Sequence, residues 1–250
     1  MTVERISIEL TNQCSKKCSF CYNHSHPEGK TTWQPDELID FIQDCAIAGT
    51  SSVSFGGGEP LEYPHLFTIL KKLQGKIFRS VTTNGLLLKS KLLEKLVSAA
   101  PDKVHISIHF PEKTSEVDRV IKQVQELSSL DIKSGVNLLV CRSNLSAAFQ
   151  AAQKLNNAGI KNDRIVYLPM RGANTPTAKQ IAKVAGNQPF QSMTCLQSCH
   201  ASPRFCSIAW DKTVAWCSYT TARRPLKALN AQALEEALQD LSLVFCGGNE

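Results

Sequence analysis

Between residues 3 and 169 the chain alternates six times between a short strand-like run and, after each of the first five, an amphipathic helical run. No other feature narrows the fold so far, because such alternation demands a parallel sheet with right-handed crossovers. Strands are expected at 3–10, 52–56, 77–83, 103–109, 135–141 and 164–169, and helices at 35–48, 64–74, 90–100, 115–130 and 144–158. In the first helix Pro35 suits the opening turn, Asp36 and Glu37 favour its positive end, and Leu38, Phe41, Ile42 and Cys45 share one face. The third helix turns Leu92, Leu93, Leu96 and Val97 inward. The fourth carries a stripe of Val117, Val120, Ile121, Val124 and Leu127, and Gly159 ends the fifth.

The strands themselves separate a barrel from a doubly wound sheet. Parallel strands covered on both faces are apolar on both. Here they are two-faced: Val104, Ile106 and Ile108 oppose His105, Ser107 and His109, and Arg5, Ser7, Glu9 and Thr11 oppose Ile6, Ile8 and Leu10. Polar faces need water or a ligand, since unpaired buried polar groups are costly. An α/β fold built as a partial (β/α)6 TIM-like barrel with a wet concave side satisfies both faces. After residue 170 the pattern changes to a loop with a short helix near 177–185, a hairpin at 204–217 turning near Asp211 and Lys212, and a helix near 230–242. The expected division is a barrel of residues 1–187 and a small hairpin-plus-helix extension of residues 188–250.

The 250 residues are 42% apolar and 20% charged, which excludes a disordered or collagen-like chain. No apolar run approaches the roughly 20 residues that cross a bilayer, and MTVERISIEL lacks a secretory layout. The reading is a cytoplasmic protein with no membrane partner. Lys and Arg number 28 against 22 Asp and Glu, a net charge of +6 that is too scattered to indicate nucleic acid. The unusual count is ten cysteines. In a reducing compartment clustered cysteines bind metal more often than they pair as disulfides. Cys14, Cys18 and Cys21 crowd one loop after the first strand; Cys195, Cys199, Cys206, Cys217 and Cys246 crowd the C-terminal part.

Three thiolates in one tight loop suit iron–sulfur or zinc. A [4Fe–4S] cluster normally takes four cysteines, so three leave one iron open to an outside ligand. The spacing CxxxCxφC, with Phe20 as the aromatic, resembles the signature of the radical S-adenosylmethionine (radical SAM) superfamily. Gly56-Gly57-Gly58-Glu59-Pro60 after the second strand resembles that family's GGE segment, and Thr82-Thr83-Asn84-Gly85 after the third is also a familiar segment. All lie at C-terminal strand ends, where barrel enzymes place their sites. The resemblance covers residues 3–170.

It implies that Cys14, Cys18 and Cys21 hold a [4Fe–4S] cluster whose open iron chelates SAM, and that an electron from the cluster cleaves SAM to a 5′-deoxyadenosyl radical. It also implies a one-electron reductant such as flavodoxin or ferredoxin. Gly57 and Gly58 would let the backbone approach the methionine moiety, and Glu59 would accept a hydrogen bond from its amine. Thr82, Ser107 and Asn137 resemble ribose-contacting positions, with ordinary polar barrel residues as the alternative. His109 stands where many relatives carry an acid, and is either a substrate contact or proton relay, or a structural histidine. Cys141 is either a hydrogen-atom donor or packing, and Cys45 is core.

The span from Cys199 to Cys217 resembles the cysteine element of SPASM and twitch extensions, although Lys212 stands where a glycine belongs. A twitch-like extension with one auxiliary [4Fe–4S] cluster is expected. Cys199 and Cys217 are its leading ligands, with Cys206 and Cys195 or Cys246 completing the set. Zinc or free thiols are the alternatives. The leading function is hydrogen abstraction from a small-molecule C–H bond, followed by dehydrogenation or bond formation. The rival is a ribosomal-peptide maturase, weakened because the first strand begins at residue 3 with no room for a leader-binding domain. An iron–sulfur electron carrier or zinc-stabilised binding module explains the cysteines but not the Gly-rich strand end.

Overall fold

The computed structural model of the chain describes residues 2–192, 196 and 199–243. In chain order the elements are β1 (Arg5–Glu9), α1 (Pro35–Ile47), β2 (Ser52–Gly56), α2 (Leu66–Lys72), β3 (Phe78–Thr83), α3 (Ser90–Ala99), β4 (Lys103–Ile108), α4 (Thr114–Ser129), β5 (Ser134–Val140), α5 (Leu145–Asn157), β6 (Ile165–Pro169), α6 (Ala178–Val184), β7 (Gln191–Ser192), β8 (Cys206–Ile208), β9 (Thr213–Ala215), β10 (Arg224–Pro225) and α7 (Ala231–Leu238). The expected strands and helices all form, with ends displaced by a few residues, as helix and strand ends commonly are.

Two compact units emerge. One joins residues up to 103 to residues 201–243; the other holds residues from 104 to 200. In the first, β1 pairs in parallel with β2, and β2 with β3. Ile6, Ile8, Val53 and Phe55 are buried on one face, where Leu38, Phe41 and Ile42 of α1 and Leu66, Ile69 and Leu70 of α2 are also core residues. In α3 only Leu96 and Ala99 are buried, so Leu92, Leu93 and Val97 are less enclosed than the periodicity suggests. The buried Arg79 ties helix ends together through the carbonyls of Leu70, Ala99 and Ala100 and the Asp102 carboxylate.

The C-terminal hairpin is not a free-standing appendage. Strand β8 lies parallel against β1, with Ile6 opposite Cys206 and Ile8 opposite Ile208, and β9 and β10 continue antiparallel. The turn between β8 and β9 places Lys212 at φ +66, a left-handed conformation that favours glycine. Its side chain compensates: Nζ lies 3.0 Å from Glu37 and 5.5 Å from the Trp33 ring centroid. Thus a lysine serves where the expected pattern has glycine.

In the second unit β4 pairs in parallel with β5, β5 with β6 and β6 with β7. The apolar face carries Val104, Ile106, Ile108, Val136, Leu138 and Val140, all fully buried, and the α4 stripe is buried as expected. These parallel βα units are the two-faced α/β architecture read from the sequence. Among the described residues no helix is long and apolar enough to cross a membrane.

Candidate functional site

Immediately after β1 the chain enters the loop that carries Cys14, Cys18 and Cys21. Thr11 anchors it, accepting from Gln13 N–H at 2.9 Å and donating to the Lys30 carbonyl at 3.0 Å. Cys14 N–H donates to the His26 carbonyl, Cys21 N–H to the Cys18 carbonyl and His24 N–H to the Cys21 carbonyl. Lys17 and His24 both adopt φ +49, which curls the loop tightly. Cys14 is 8% exposed, whereas Cys18 and Cys21 are half-buried. The loop's exit is bound to the hairpin turn, because Thr32 N–H and hydroxyl both donate to the Trp210 carbonyl.

Burial pushes the Cys14 thiol above its usual range, and the backbone N–H groups of Lys16 and Lys17 oppose that rise by bonding to the sulfur. Asn84, just past β3, adds a side-chain N–H at 3.8 Å from Cys14 Sγ. A buried sulfur surrounded by N–H donors is suited to the charge of a metal-bound thiolate, and a metal strips the proton that burial otherwise retains. Among the described residues no three Cys, His, Asp or Glu side chains converge on a point that would hold a single metal ion. Three thiols in one loop, with N–H donors around the Cys14 sulfur, are the donor chemistry that a [4Fe–4S] cluster takes, so the loop fits that group.

The Gly-rich segment is packed against the base of this loop. Gly58 N–H donates to the Thr11 carbonyl at 2.6 Å, and Glu59 N–H to the Gln13 carbonyl at 2.8 Å. Gly57 has φ +104, and a Cβ there would stand 2.6 Å from the Thr11 oxygen; at Gly58 it would overlap the Gln13 carbonyl. The missing side chains are therefore required by the loop itself, a reason independent of any ligand.

Glu59 lies just beyond these glycines. It is 0% exposed, and three donors occupy its carboxylate: Thr83 hydroxyl at 2.6 Å and Leu61 N–H at 3.1 Å on Oε1, Asn84 N–H at 2.8 Å on Oε2. Enclosed in this way, it binds β3 to the Gly-rich segment. Burial pushes its carboxyl up to about 7, against the pull of those donors. Thr82 is half-buried on the face of β3 that Ser80 shares.

A second carboxylate stands nearby that the sequence reading left on a polar strand face. Glu9 is 2% exposed, and burial pushes it to about 7 while Arg223 pulls it down. Its backbone carbonyl accepts from the buried Trp33 indole at 3.2 Å. The Asn23 amide is satisfied with its nitrogen toward Glu9 Oε2 at 2.8 Å and its oxygen toward Gly58 N–H at 3.2 Å. Arg223 Nη2 lies 3.8 Å from Glu9 Oε1, and the Tyr22 and Tyr219 rings meet with centroids 4.9 Å apart. An acid five residues before Cys14, on the face opposite the isoleucines, was the signal for Glu9; nothing local marks Arg223.

On the second unit Ser107 is buried opposite Asn137 in the β4–β5 register. Asn137 Oδ1 is engaged by His105 Nδ1 at 2.9 Å. His109 is half-buried, with Nδ1 3.9 Å from Glu116 and its backbone N–H bonded to the same carboxylate at 2.8 Å. Cys141 is buried and its sulfur caps the turn at 142–144, with Asn144 reciprocating at the Cys141 N–H.

The C-terminal cysteines separate. Cys206 is 0% exposed on β8 and shares the helix-packed face of Ile6. Burial pushes its thiol far up, and neighbouring Cys45 adds to the rise. It is a core residue and not an auxiliary ligand. Cys217 is half-buried and accepts the Tyr219 N–H at 3.5 Å, and Cys199 is exposed. Cys195 and Cys246 lie outside the described residues.

A family profile described as the Radical SAM superfamily matches residues 8–176, more than half of the chain. The chain belongs to the radical SAM superfamily. Family membership marks an enzyme. This radical SAM chain is 33% identical over 106 residues to a protein of Methanocella arvoryzae named as a probable GTP 3',8-cyclase, a match covering 42% of the chain and 34% of that protein. It is 27% identical over 179 residues to the Saccharolobus solfataricus protein of the same name, covering 66% and 57%. The chain spans about half the length of the curated relatives it matches. Among solved structures, Streptococcus suis SuiB bound to precursor peptide SuiA superposes with a TM-score of 0.75 over 96% of this chain and 65% of that one, at 14% identity. At that identity the likeness shows the fold, which is consistent with the partial TIM-like barrel.

Proposed function

We propose that this radical SAM enzyme abstracts hydrogen from a C–H bond of a small-molecule substrate and completes a dehydrogenation or a bond formation with the help of one auxiliary cluster. The observation that carries the reading is the Cys14–Cys21 loop, in which one thiol is buried under N–H donors and two stand more open. A [4Fe–4S] cluster held there would supply the one-electron chemistry for reductive cleavage of SAM. Cys14, Cys18 and Cys21 would hold it. Asn84 and the Lys16 and Lys17 amides steady the Cys14 sulfur. Gly57, Gly58 and the Asn23 amide keep the loop seated. Thr82, Ser107 and Asn137 are the proposed ribose contacts, and His109 the proposed substrate contact.

The functional division is residues 1–187 for the radical chemistry and 188–250 for a twitch-like extension. Cys199 and Cys217 are its proposed auxiliary ligands, completed by Cys195 or Cys246. The N–H donated to Cys217 suits a thiolate ligand. A flavodoxin or ferredoxin in the cytoplasm would supply the electron. The nucleotide in the printed name of the cyclase relatives favours a small molecule, and the peptide in the printed title of the SuiB structure supports the rival peptide substrate.

Anaerobic reconstitution followed by dithionite and SAM tests the core of this reading. Release of 5′-deoxyadenosine, lost in Cys18→Ala, is expected; an iron-loaded chain that never cleaves SAM would reduce it to an electron carrier. Deuterium transfer into 5′-deoxyadenosine from a labelled metabolite extract, and not from a labelled peptide fraction, is expected for the small-molecule substrate.

A further inference from the structure

Glu9 carries an electrostatic burden that the site described above does not relieve. Its side chain is almost fully enclosed, and its Oε1 has no hydrogen-bond partner. A buried carboxylate oxygen without a donor is expensive. The compensating charge is Arg223 Nη2, 3.8 Å away, which is beyond hydrogen-bonding distance. That same Nη2 donates to the Ser218 carbonyl at 3.1 Å, one residue past Cys217, and Nη1 reaches the Thr213 carbonyl at 3.5 Å. The guanidinium therefore stands between a residue of β1 and the segment that carries Cys217. Ser218 has a second anchor, its hydroxyl bonding to Ser207 of β8 at 3.1 Å.

We infer that Glu9 and Arg223 act as a positioning pair that sets where the Cys217 sulfur stands, with a charge on the first strand fixing a loop of the C-terminal hairpin. The inference rests on the proposed auxiliary site at Cys217. Attraction to Glu9 holds the guanidinium in place, the guanidinium holds the Ser218 carbonyl, and the N–H of that same peptide, from Tyr219, donates to the Cys217 sulfur. The Tyr219 N–H on the Cys217 sulfur and the contact of Tyr219 with Tyr22 extend the same arrangement to the residue after Cys21. Removing Arg223 releases the Ser218 carbonyl directly, and removing the Glu9 charge releases it through the guanidinium. An arginine that merely tied carbonyls would be indifferent to the state of Glu9.

The test uses the full chain with Cys14, Cys18 and Cys21 all changed to Ala, reconstituted anaerobically so that only the auxiliary cluster loads. The parent is expected to hold about four irons per chain and to give an electron paramagnetic resonance signal when reduced. Adding Arg223→Gln is expected to lower the iron by roughly twofold or more and to broaden the signal, because Glu9 is left unpaired. Glu9→Gln alone is expected to lower the iron in the same direction, because the guanidinium is no longer held, and the double variant to fall no further than Arg223→Gln. Thermal melting of each metal-free chain separates a lost fold from a misplaced ligand. If Arg223→Gln does not fold, Arg223→Lys replaces it; it keeps the charge but loses the fork, and a shifted signal is expected. Iron and signal unchanged in either single variant, or losses that add in the double variant, overturn the pair. A parent that binds no iron overturns the auxiliary site itself, and the pair with it.

Discussion

Thr83 donates its hydroxyl to Glu59 Oε1 at 2.6 Å, joining the end of β3 to the segment that follows β2. The bond is fully enclosed, and Asn84, the next residue, serves both Glu59 and Cys14. Thr83→Val removes the donor while keeping the shape. It is expected to cost about 1–3 kcal/mol in urea unfolding and to weaken cluster retention, because Asn84 loses its support. A melt and an iron content equal to those of the parent would refute that linkage.

The three consecutive glycines separate by surroundings. A Cβ at Gly56 meets nothing within 4 Å, whereas at Gly57 and Gly58 it meets the backbone of Thr11 and Gln13. Gly56→Ala is expected to be within about 1 kcal/mol of the parent, and Gly58→Ala to lose several, on the order of 3 kcal/mol, with poor cluster loading. Denaturant unfolding of the three single variants checks the order, and equal costs at Gly56 and Gly58 would contradict it.

Glu9 and Glu59 both have carboxyls raised from about 4.5 to about 7 by burial. The folded chain therefore holds protons that the unfolded chain releases. Their stabilising contribution is complete below pH 4.5 and is lost as the pH rises through about 7. Unfolding free energy of the metal-free chain is expected to fall across that window, and the fall to be shallower in Glu9→Gln. A slope unaltered by that substitution would place the titration elsewhere.

Cys206 and Cys217 are expected to behave oppositely. Cys206→Ala leaves iron at about eight per chain and lowers stability by roughly 1–2 kcal/mol through lost packing, whereas Cys217→Ala halves the iron with little change in the melt. Elemental analysis paired with calorimetry decides, and the reverse pattern would return Cys206 to the ligand set.

Strand and helix order was legible because period-2 and period-3.6 patterns report which face is covered, and residues such as Val104 and Val124 have only one place to go. The Cys14 loop was legible because its spacing is local. Local spacing did not reveal that Glu59 turns inward, since that depends on Thr83, Asn84 and Leu61 closing over it. Cys206 was misread for a related reason: counting thiols ignores the strand face, and pairing with Ile6 directs this one into the core. The Glu9–Arg223 relationship joins residues from opposite ends of the chain, and no periodicity encodes such a meeting.

Because β8 is the partner on one side of β1, that strand keeps a bare flank during synthesis until residue 208 has been added. Its N–H and C=O groups offer a template for any extended segment that arrives first. A fragment cut short of Cys206 would keep that sticky border permanently, so shortened versions of this chain are poor candidates for soluble expression.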